Sequence, residues 1–189
     1  MKILVLDNYD SFTYNLVQLI NANSSAEVDV FRNDEITIEA VSRYDKIILS
    51  PGPGIPKEAG ILCELIQTYK TSKSIFGVCL GMQAIGEVYG ATLLNIAAPL
   101  HGVATPIHHD GSKLFENIPT PFNVGRYHSW VVSKETVPAE LKITAEDLNG
   151  FVMALEHEKH QVSGVQFHPE SILTEYGKEI MVNFLNQPI

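Results

Sequence analysis

Between Met1 and Gly90 the chain alternates short, wholly apolar runs with longer segments whose apolar residues recur at helical spacing. Ile3-Leu4-Val5-Leu6, within Lys2–Asp7, has the length and continuity of a strand buried on both faces. A helix is predicted next, with Phe12, Leu16, Leu19 and Ile20 on one face and Asp10 or Ser11 as its N-cap. Val28, Val30 and Phe31 predict a second strand, and Ile47-Ile48-Leu49 a third. Ile61, Leu62, Leu65, Ile66 and Tyr69 return to helical spacing. Ser74–Val78 reads as a fourth strand and Leu80–Tyr89 as a helix stopped by Gly90. Such alternation, with strands apolar on both faces, is the pattern of a parallel sheet covered by helices.

The pattern changes in the second half. Phe122–Ser133, Leu141–Glu146, Phe151–Glu158 and Gln161–Phe167 read as strands, with Asn149-Gly150 as a hairpin turn between two of them. Ile180, Met181, Phe184 and Leu185 predict a closing helix. No repeat, low-complexity tract or Ser/Gly linker interrupts the 189 residues, a length typical of one domain (~100–200). The expectation is one three-layer α/β domain over 1–189, its later strands partly antiparallel.

Composition removes several classes of function. With 13 Lys+Arg against 22 Asp+Glu, the net charge is −9, and no basic run is present. Sequence-independent nucleic-acid binding, which depends on neutralising phosphates, is not expected. The longest uninterrupted apolar runs are about five residues (Phe151–Leu155), against the ~18 of a membrane span. The run at Ile3 meets Asp7 too soon for a signal peptide. Only Cys63 and Cys79 are available for a disulfide, so a reduced, cytoplasmic protein is expected.

The sharpest chemical signal is Gly77-Val78-Cys79-Leu80-Gly81, directly after a predicted strand and opening a helix. A nucleophile flanked by glycines at a strand-to-helix turn is the elbow arrangement of α/β hydrolases, here with Cys in the place of Ser. The turn exposes the nucleophile at the carboxyl end of the sheet, the next amide points where an oxyanion forms, and a helix N-terminus favours a negative sulfur. Cys63, on a helix face without glycines, reads as structural.

A thiol nucleophile needs a base, and the base an orienter. His168, in Gln166-Phe167-His168-Pro169-Glu170-Ser171, ends a predicted strand with a carboxylate two residues on. His128, in Arg126-Tyr127-His128-Ser129-Trp130, has no nearby carboxylate and is the weaker candidate. His108-His109 and His157/His160 lack the companions of a metal site and read as solvated loops. Ser50-Pro51-Gly52-Pro53-Gly54-Ile55-Pro56 follows the third strand and offers backbone amides to an oxyanion, without the Lys-Ser/Thr of a P-loop. Ligand sites of open α/β sheets lie beyond the strand carboxyl ends, where this loop, Cys79 and His168 all fall.

These segments, together with Asp7-Asn8-Tyr9-Asp10-Ser11-Phe12-Thr13 and Gly164–Ser171, resemble from end to end the class I (triad-type) glutamine amidotransferases. Within that family they are similar to the glutaminase subunits of anthranilate synthase, and the amidotransferase subunits of aminodeoxychorismate synthase share the pattern. The resemblance implies a flavodoxin-like, three-layer fold with a mostly parallel central sheet. It implies Cys79 as nucleophile, His168 as general base and then acid, and Glu170 as the orienter of His168. The amides of Gly52 and Leu80 would form the oxyanion hole, and Gly52, Pro53, Gly54, Gln83, Ser129 and Trp130 would hold L-glutamine. It further implies a chorismate-using synthase subunit as partner, met by Asp7–Thr13, and no metal or cofactor in this subunit. The chain departs from the family at Met82, where His is frequent, and at Trp130, where Leu is common. A stand-alone cysteine hydrolase would share the elbow but usually places its His nearer the Cys in sequence. A non-catalytic flavodoxin-like module would have no use for Cys, His and Glu together.

Overall fold

The computed structural model describes residues Met1–Ile189. In chain order the strands are β1 (Lys2–Asp7), β2 (Glu27–Arg32), β3 (Lys46–Leu49), β4 (Ser74–Val78), β5 (Leu93–Asn95), β6 (Val103–His109), β7 (Phe122–Arg126), β8 (Trp130–Val132), β9 (Leu141–Asp147), β10 (Val152–His157) and β11 (Val162–Val165). The helices are α1 (Thr13–Asn23), α2 (Ile38–Val41), α3 (Leu62–Tyr69), α4 (Leu80–Val88) and α5 (Gly177–Asn186). Nine strands form one sheet in the order β2-β1-β3-β4-β11-β10-β9-β6-β7. The first five are parallel, and from β10 onward every neighbour is antiparallel.

Alternation along the buried strands fills two layers of core, because successive side chains leave a strand on opposite faces. Ile3, Val5, Ile48, Phe76 and Val78 pack with Leu16 and Ile20 of α1 and Ile180, Met181 and Phe184 of α5. Leu4, Leu6, Ile47, Leu49 and Ile75 pack on the other side with Leu62, Leu65 and Ile66 of α3 and Met82 and Ile85 of α4. The helices therefore cover both faces, as the apolar pattern predicts.

The last parallel strand decides where the chemistry lies. β11 enters late in the chain beside β4, with Val162 opposite Ile75 and Val165 opposite Val78. The two strands end together, so the residues after Val78 and after Val165 emerge side by side.

Three sequence expectations are corrected, and three elements are added. Phe122–Ser133 is not one strand: β7 ends at Arg126, the chain turns through Tyr127–Ser129, and β8 pairs with β5 in a separate two-stranded sheet. β5, β6 and α2 carry no sequence signal that predicts them. Neither Asp10 nor Ser11 caps α1. Instead the Asp10 carboxylate accepts the Phe12 N–H at 2.7 Å, one residue ahead of the helix, and Asp7 Oδ1 accepts from Thr13 Oγ1 at 2.8 Å. His108 and His109 lie in β6 rather than in a loop, with the His109 ring stacked on Phe115 at 4.6 Å between centroids.

The turn between β4 and α4 tolerates no side chain at its glycines. A Cβ on Gly81 would sit 2.6 Å from Leu49 O and 2.7 Å from Leu49 Cβ. Overpacking of this kind costs about 1–3 kcal/mol. Gly81→Ala should therefore lower Tm by roughly 2–12 °C, at ~2–4 °C per kcal/mol for a chain of this size. An unchanged thermal melt followed by circular dichroism would contradict this packing.

Candidate active site

Cys79 is the residue between β4 and α4, and its backbone is left-handed (φ 53°, ψ −103°), a region non-glycine residues rarely adopt. Sharp reversal from strand to helix requires it. The glycines around it clear the necessary space: a Cβ on Gly77 would fall on the Gly81–Met82 backbone, and one on Gly164 would lie 2.9 Å from Gly77 O. Cys79 N–H donates to Val165 O at 2.8 Å, and Gln83 N–H to Cys79 O at 3.0 Å, pinning the turn to β11 and to the helix it opens.

His168 reaches Cys79 from the other strand. Past the end of β11, Gln166 N–H donates to Met153 O at 2.9 Å and His168 N–H to Gly125 O at 3.0 Å. The His168 carbonyl accepts from Thr174 Oγ1 at 2.6 Å and from Ser171 N–H at 3.2 Å, which closes the turn through Pro169 and Glu170. Within that turn His168 Nδ1 lies 2.7 Å from Glu170 Oε1, with both side chains excluded from solvent.

Nδ1 is thus committed to the carboxylate, and Nε2 is the nitrogen left for the thiol. Burial by itself lowers an imidazole's pKa. Here the Cys79 thiol and the Glu170 carboxylate outweigh burial and push His168 up to about 10. Nε2 makes no hydrogen bond of good geometry, so the thiol is a neighbour within electrostatic reach rather than a fully formed partner. Such looseness is common in unliganded sites. The rings of Tyr127 (4.9 Å) and Phe12 (5.5 Å) pack against the imidazole.

Beside Cys79 lies a pocket of about 190 Å³ lined by Gly52, Pro53, Gly54, Cys79, Gln83, Tyr127, His128, Ser129 and Trp130. It is smaller than the ~300–1,000 Å³ of drug-sized sites, the scale of a single amino acid. All six residues expected to hold L-glutamine line it, and of the seven expected at the substrate, counting Leu80 of the oxyanion hole, Leu80 alone does not. The seventh, Leu80, is buried, and it is the Leu80 N–H that bears on the site. Neither Gly52 N–H nor Leu80 N–H donates to a backbone acceptor, which leaves both for an oxyanion. The Pro-Gly loop is held close by Asn8, which donates Nδ2–H to Ser50 O and its backbone N–H to Ser50 Oγ, both at 2.8 Å. A Cβ on Gly52 would sit 2.6 Å from Asn8 Cβ. A larger recess, about 450 Å³ around Lys142, His157 and His160, contains none of these groups, so size alone does not mark the site.

His128 cannot be the base. Its Nε2 accepts from Arg126 Nε at 3.0 Å and its Nδ1 faces Trp130 O at 3.0 Å. Burial first, and the Arg126 charge second, drive its pKa down to about 3. Phe12 also departs from expectation: it belongs to the partner-facing segment by resemblance, yet it packs on His168. Tyr9 stays outside, half exposed, with its hydroxyl on Asp34 at 2.8 Å. Sequence reading assigned no role to Tyr127, Gln166 or Asp147. Asp147 pairs with Arg126 at 2.6 Å, both side chains 2% exposed. No cluster of three or more His, Cys, Asp or Glu is arranged to hold a metal ion, and no helix is long and apolar enough to cross a membrane.

The two histidines should titrate in opposite directions. His128, lowered from the model-peptide value near 6.5, contributes stability that is complete above ~6.5 and is lost as pH falls toward about 3. His168, raised, contributes stability that is complete below ~6.5 and is lost as pH rises toward about 10. Imidazole ¹⁵N NMR at pH 7 should show one neutral ring with its proton on Nδ1 (His128) and one doubly protonated ring (His168). A His128 signal titrating near 6.5 would overturn this assignment.

Residues 4–187 match the family of class-I glutamine amidotransferases. Anthranilate synthase component 2 of Azospirillum brasilense is 46% identical over 97% of this chain and 95% of its own length. Aminodeoxychorismate/anthranilate synthase component 2 of Bacillus subtilis is 45% identical over 97% and 95%. The bifunctional protein TrpGD of Thermotoga maritima is 46% identical over 98% of this chain, which spans 32% of that longer protein. A solved structure from Thermoplasma acidophilum has the same fold, with a TM-score of 0.88 over 98% of this chain and 92% of that one, at 24% identity. Fold and near-full-length likeness agree, and the chain belongs to the class-I glutamine amidotransferases.

Proposed function

We propose that this protein is the glutaminase subunit of an anthranilate synthase, hydrolysing L-glutamine and passing the ammonia to a chorismate-using partner. One observation carries the reading: the His168 imidazole is held between the Glu170 carboxylate and a Cys79 thiol that opens onto an amino-acid-sized pocket. Cys79, His168 and Glu170 are the catalytic residues. Gly52, Pro53, Gly54, Gln83, Ser129 and Trp130 contact the substrate, and the amides of Gly52 and Leu80 stabilise the oxyanion.

In the first step the Cys79 sulfur bonds to the glutamine side-chain carbonyl carbon, and the carbonyl π electrons move to oxygen. Two preorganised N–H donors stabilise the developing charge, each such donor being worth ~2.7–4 kcal/mol. Once sulfur is bonded to carbon it no longer favours the charged form of His168, and only Glu170 still does. His168 then becomes a stronger acid at the moment the leaving nitrogen needs a proton. The C–N bond breaks, ammonia departs, and a γ-glutamyl thioester remains. Water, deprotonated by His168, attacks that thioester; glutamate leaves and the thiol returns. The net reaction is glutamine plus water to glutamate plus ammonia, and it needs no metal or cofactor in this subunit.

Ammonia near neutral pH is mostly protonated and non-nucleophilic, so direct delivery to a partner serves the chemistry. Tyr9, exposed beside the Pro-Gly loop, is suited to meet that partner, in the cytoplasm, and the whole chain acts as one domain. The relative named for both synthases favours a second reading, in which the partner makes aminodeoxychorismate.

Cys79→Ser should abolish glutamine-dependent product formation by the complex, while concentrated ammonia at alkaline pH still supports it. Electrophilic glutamine analogues should label Cys79 and not Cys63. His168→Ala should lower turnover by ~10²–10⁴-fold, with Glu170→Gln milder. Substantial glutaminase activity in Cys79→Ser, or labelling at Cys63, would refute the nucleophile. Tyr9→Ala should weaken complex formation with little effect on basal hydrolysis, whereas Phe12→Ala should reduce both. Steady-state glutamate release and pull-down of the partner subunit separate these outcomes.

A further inference from the structure

A file of buried polar groups runs from the antiparallel half of the sheet to the sulfur of Cys79, and each link in it has a fixed direction. It begins at the Arg126–Asp147 ion pair. Asp147 is itself held in place, its Oδ1 accepting the Asn149 and Phe151 amides at 2.9 Å. A guanidinium only donates, so Arg126 Nε makes His128 Nε2 an acceptor. The proton of the neutral imidazole then sits on Nδ1 and is donated to Trp130 O. That same carbonyl accepts Gln83 Nε2 at 3.0 Å, and Gln83 Nε2 also donates to Gln166 Oε1 at 3.1 Å. With its oxygen committed, Gln166 turns its amide nitrogen toward Cys79 Sγ, 3.4 Å away. Flipping Gln83 would set its oxygen against the Trp130 carbonyl; flipping Gln166 would set oxygen against sulfur. The Trp130 carbonyl, an obligate acceptor, therefore fixes the direction of the two bonds from Gln83 to Gln166 and from Gln166 to the sulfur, while Arg126 and His128 hold that carbonyl in place.

We propose that Gln166 is a positioning residue for Cys79, donating to the sulfur so that it is held as an acceptor facing the pocket, with the direction of that bond set by the Trp130 carbonyl through Gln83. The proposal rests on Cys79 being the nucleophile. A thiol can donate or accept, whereas a thiolate only accepts, so an N–H donor on sulfur selects the reactive form. Gln166 is fully buried, and a primary amide in that setting is costly unless both its ends are bonded. The other titratable groups around the sulfur are His168, with Glu170 bonded behind it and Asp10 nearby, and His128, which stays neutral.

The test measures alkylation of Cys79 by iodoacetamide against pH in the full chain, in a Cys63→Ser background so that a single thiol reacts. Gln166→Leu removes the donor. Gln166→Glu keeps the volume and the bond from Gln83 but faces the sulfur with oxygen. The alkylation midpoint should rise by about one pH unit or more in Gln166→Leu and further in Gln166→Glu, since a hydrogen bond to a charged group is worth roughly tenfold or more. The kcat for glutamine hydrolysis should fall by a similar factor with KM little changed, a split that general loosening of the pocket would not produce. If Gln166→Leu does not fold, the isosteric Gln166→Glu decides the question. A folded variant with the wild-type midpoint and kcat overturns the role of Gln166. Failure of wild-type Cys79 to react with an electrophilic glutamine analogue would instead overturn the nucleophile and leave the hydrogen-bond file as a purely structural feature.

Discussion

Everything at this site depends on one backbone constraint: a cysteine in a left-handed turn at the carboxyl end of β4. A non-glycine residue in that region costs of order 1–3 kcal/mol and persists only where its surroundings over-determine it. Here they do. β4 is buried along its whole length between β3 and β11, and its two faces feed the two halves of the core through Phe76 and Val78 on one side and Ile75 on the other. Neither the start nor the end of the turn can shift without disturbing packed strands. The strain is therefore carried by the core, and the thiol is presented without freedom to retreat.

Two histidines near that turn show how surroundings divide labour between identical side chains. Both are almost fully buried, so desolvation acts on each in the same direction. His168 has a carboxylate on one nitrogen and a thiol near the other, and is held charged. His128 has a guanidinium on one nitrogen and a carbonyl on the other, and is held neutral. In the proposed reaction the first gives and takes a proton. The second does not, and serves as a fixed element that orients the Trp130 carbonyl.

The parallel half and the elbow were legible in the sequence because each rests on local signals: continuous apolar runs, helical spacing, and glycines around a nucleophile. Those signals fail where tertiary contacts decide. β6 reads Val-Ala-Thr-Pro-Ile-His-His, mostly exposed or half-buried and without alternation, and it becomes a strand only by pairing with β7 and β9. Phe122–Ser133 looks continuous because aromatic and β-branched residues recur along it with no turn-forming dipeptide, while the chain changes sheets at Tyr127–Ser129. The proposed catalytic pair His168–Glu170 was legible as two residues in one short segment. Gln166, in the same segment, was not, since a lone glutamine gives no hint of burial. Arg126 and Asp147 are opposite charges far apart in sequence, and only the order of strands brings them together.

That order explains why the antiparallel half of the sheet belongs to the chemistry. The parallel half alone would present Cys79 and the Pro-Gly loop at one edge, the proposed nucleophile with part of the proposed oxyanion hole. His168 arrives because β10 returns into β11, which ends beside β4, and its backbone is then fastened to Gly125 of β7 at the far edge of the sheet. Gly125 lets that segment come close, since a Cβ there would lie 2.9 Å from Ser171 Oγ and 3.0 Å from Leu173 Cβ. The chain leaving β7 supplies Tyr127, His128, Ser129 and Trp130 as the far wall of the pocket. The site is thus a seam between the parallel and antiparallel halves, and the Arg126–Asp147 pair sits within the antiparallel side of it. Breaking a buried pair of this kind by removing one partner costs about 3–5 kcal/mol. A loss of that size would fall on the geometry of the site as well as on stability, because the same guanidinium fixes the ring of His128.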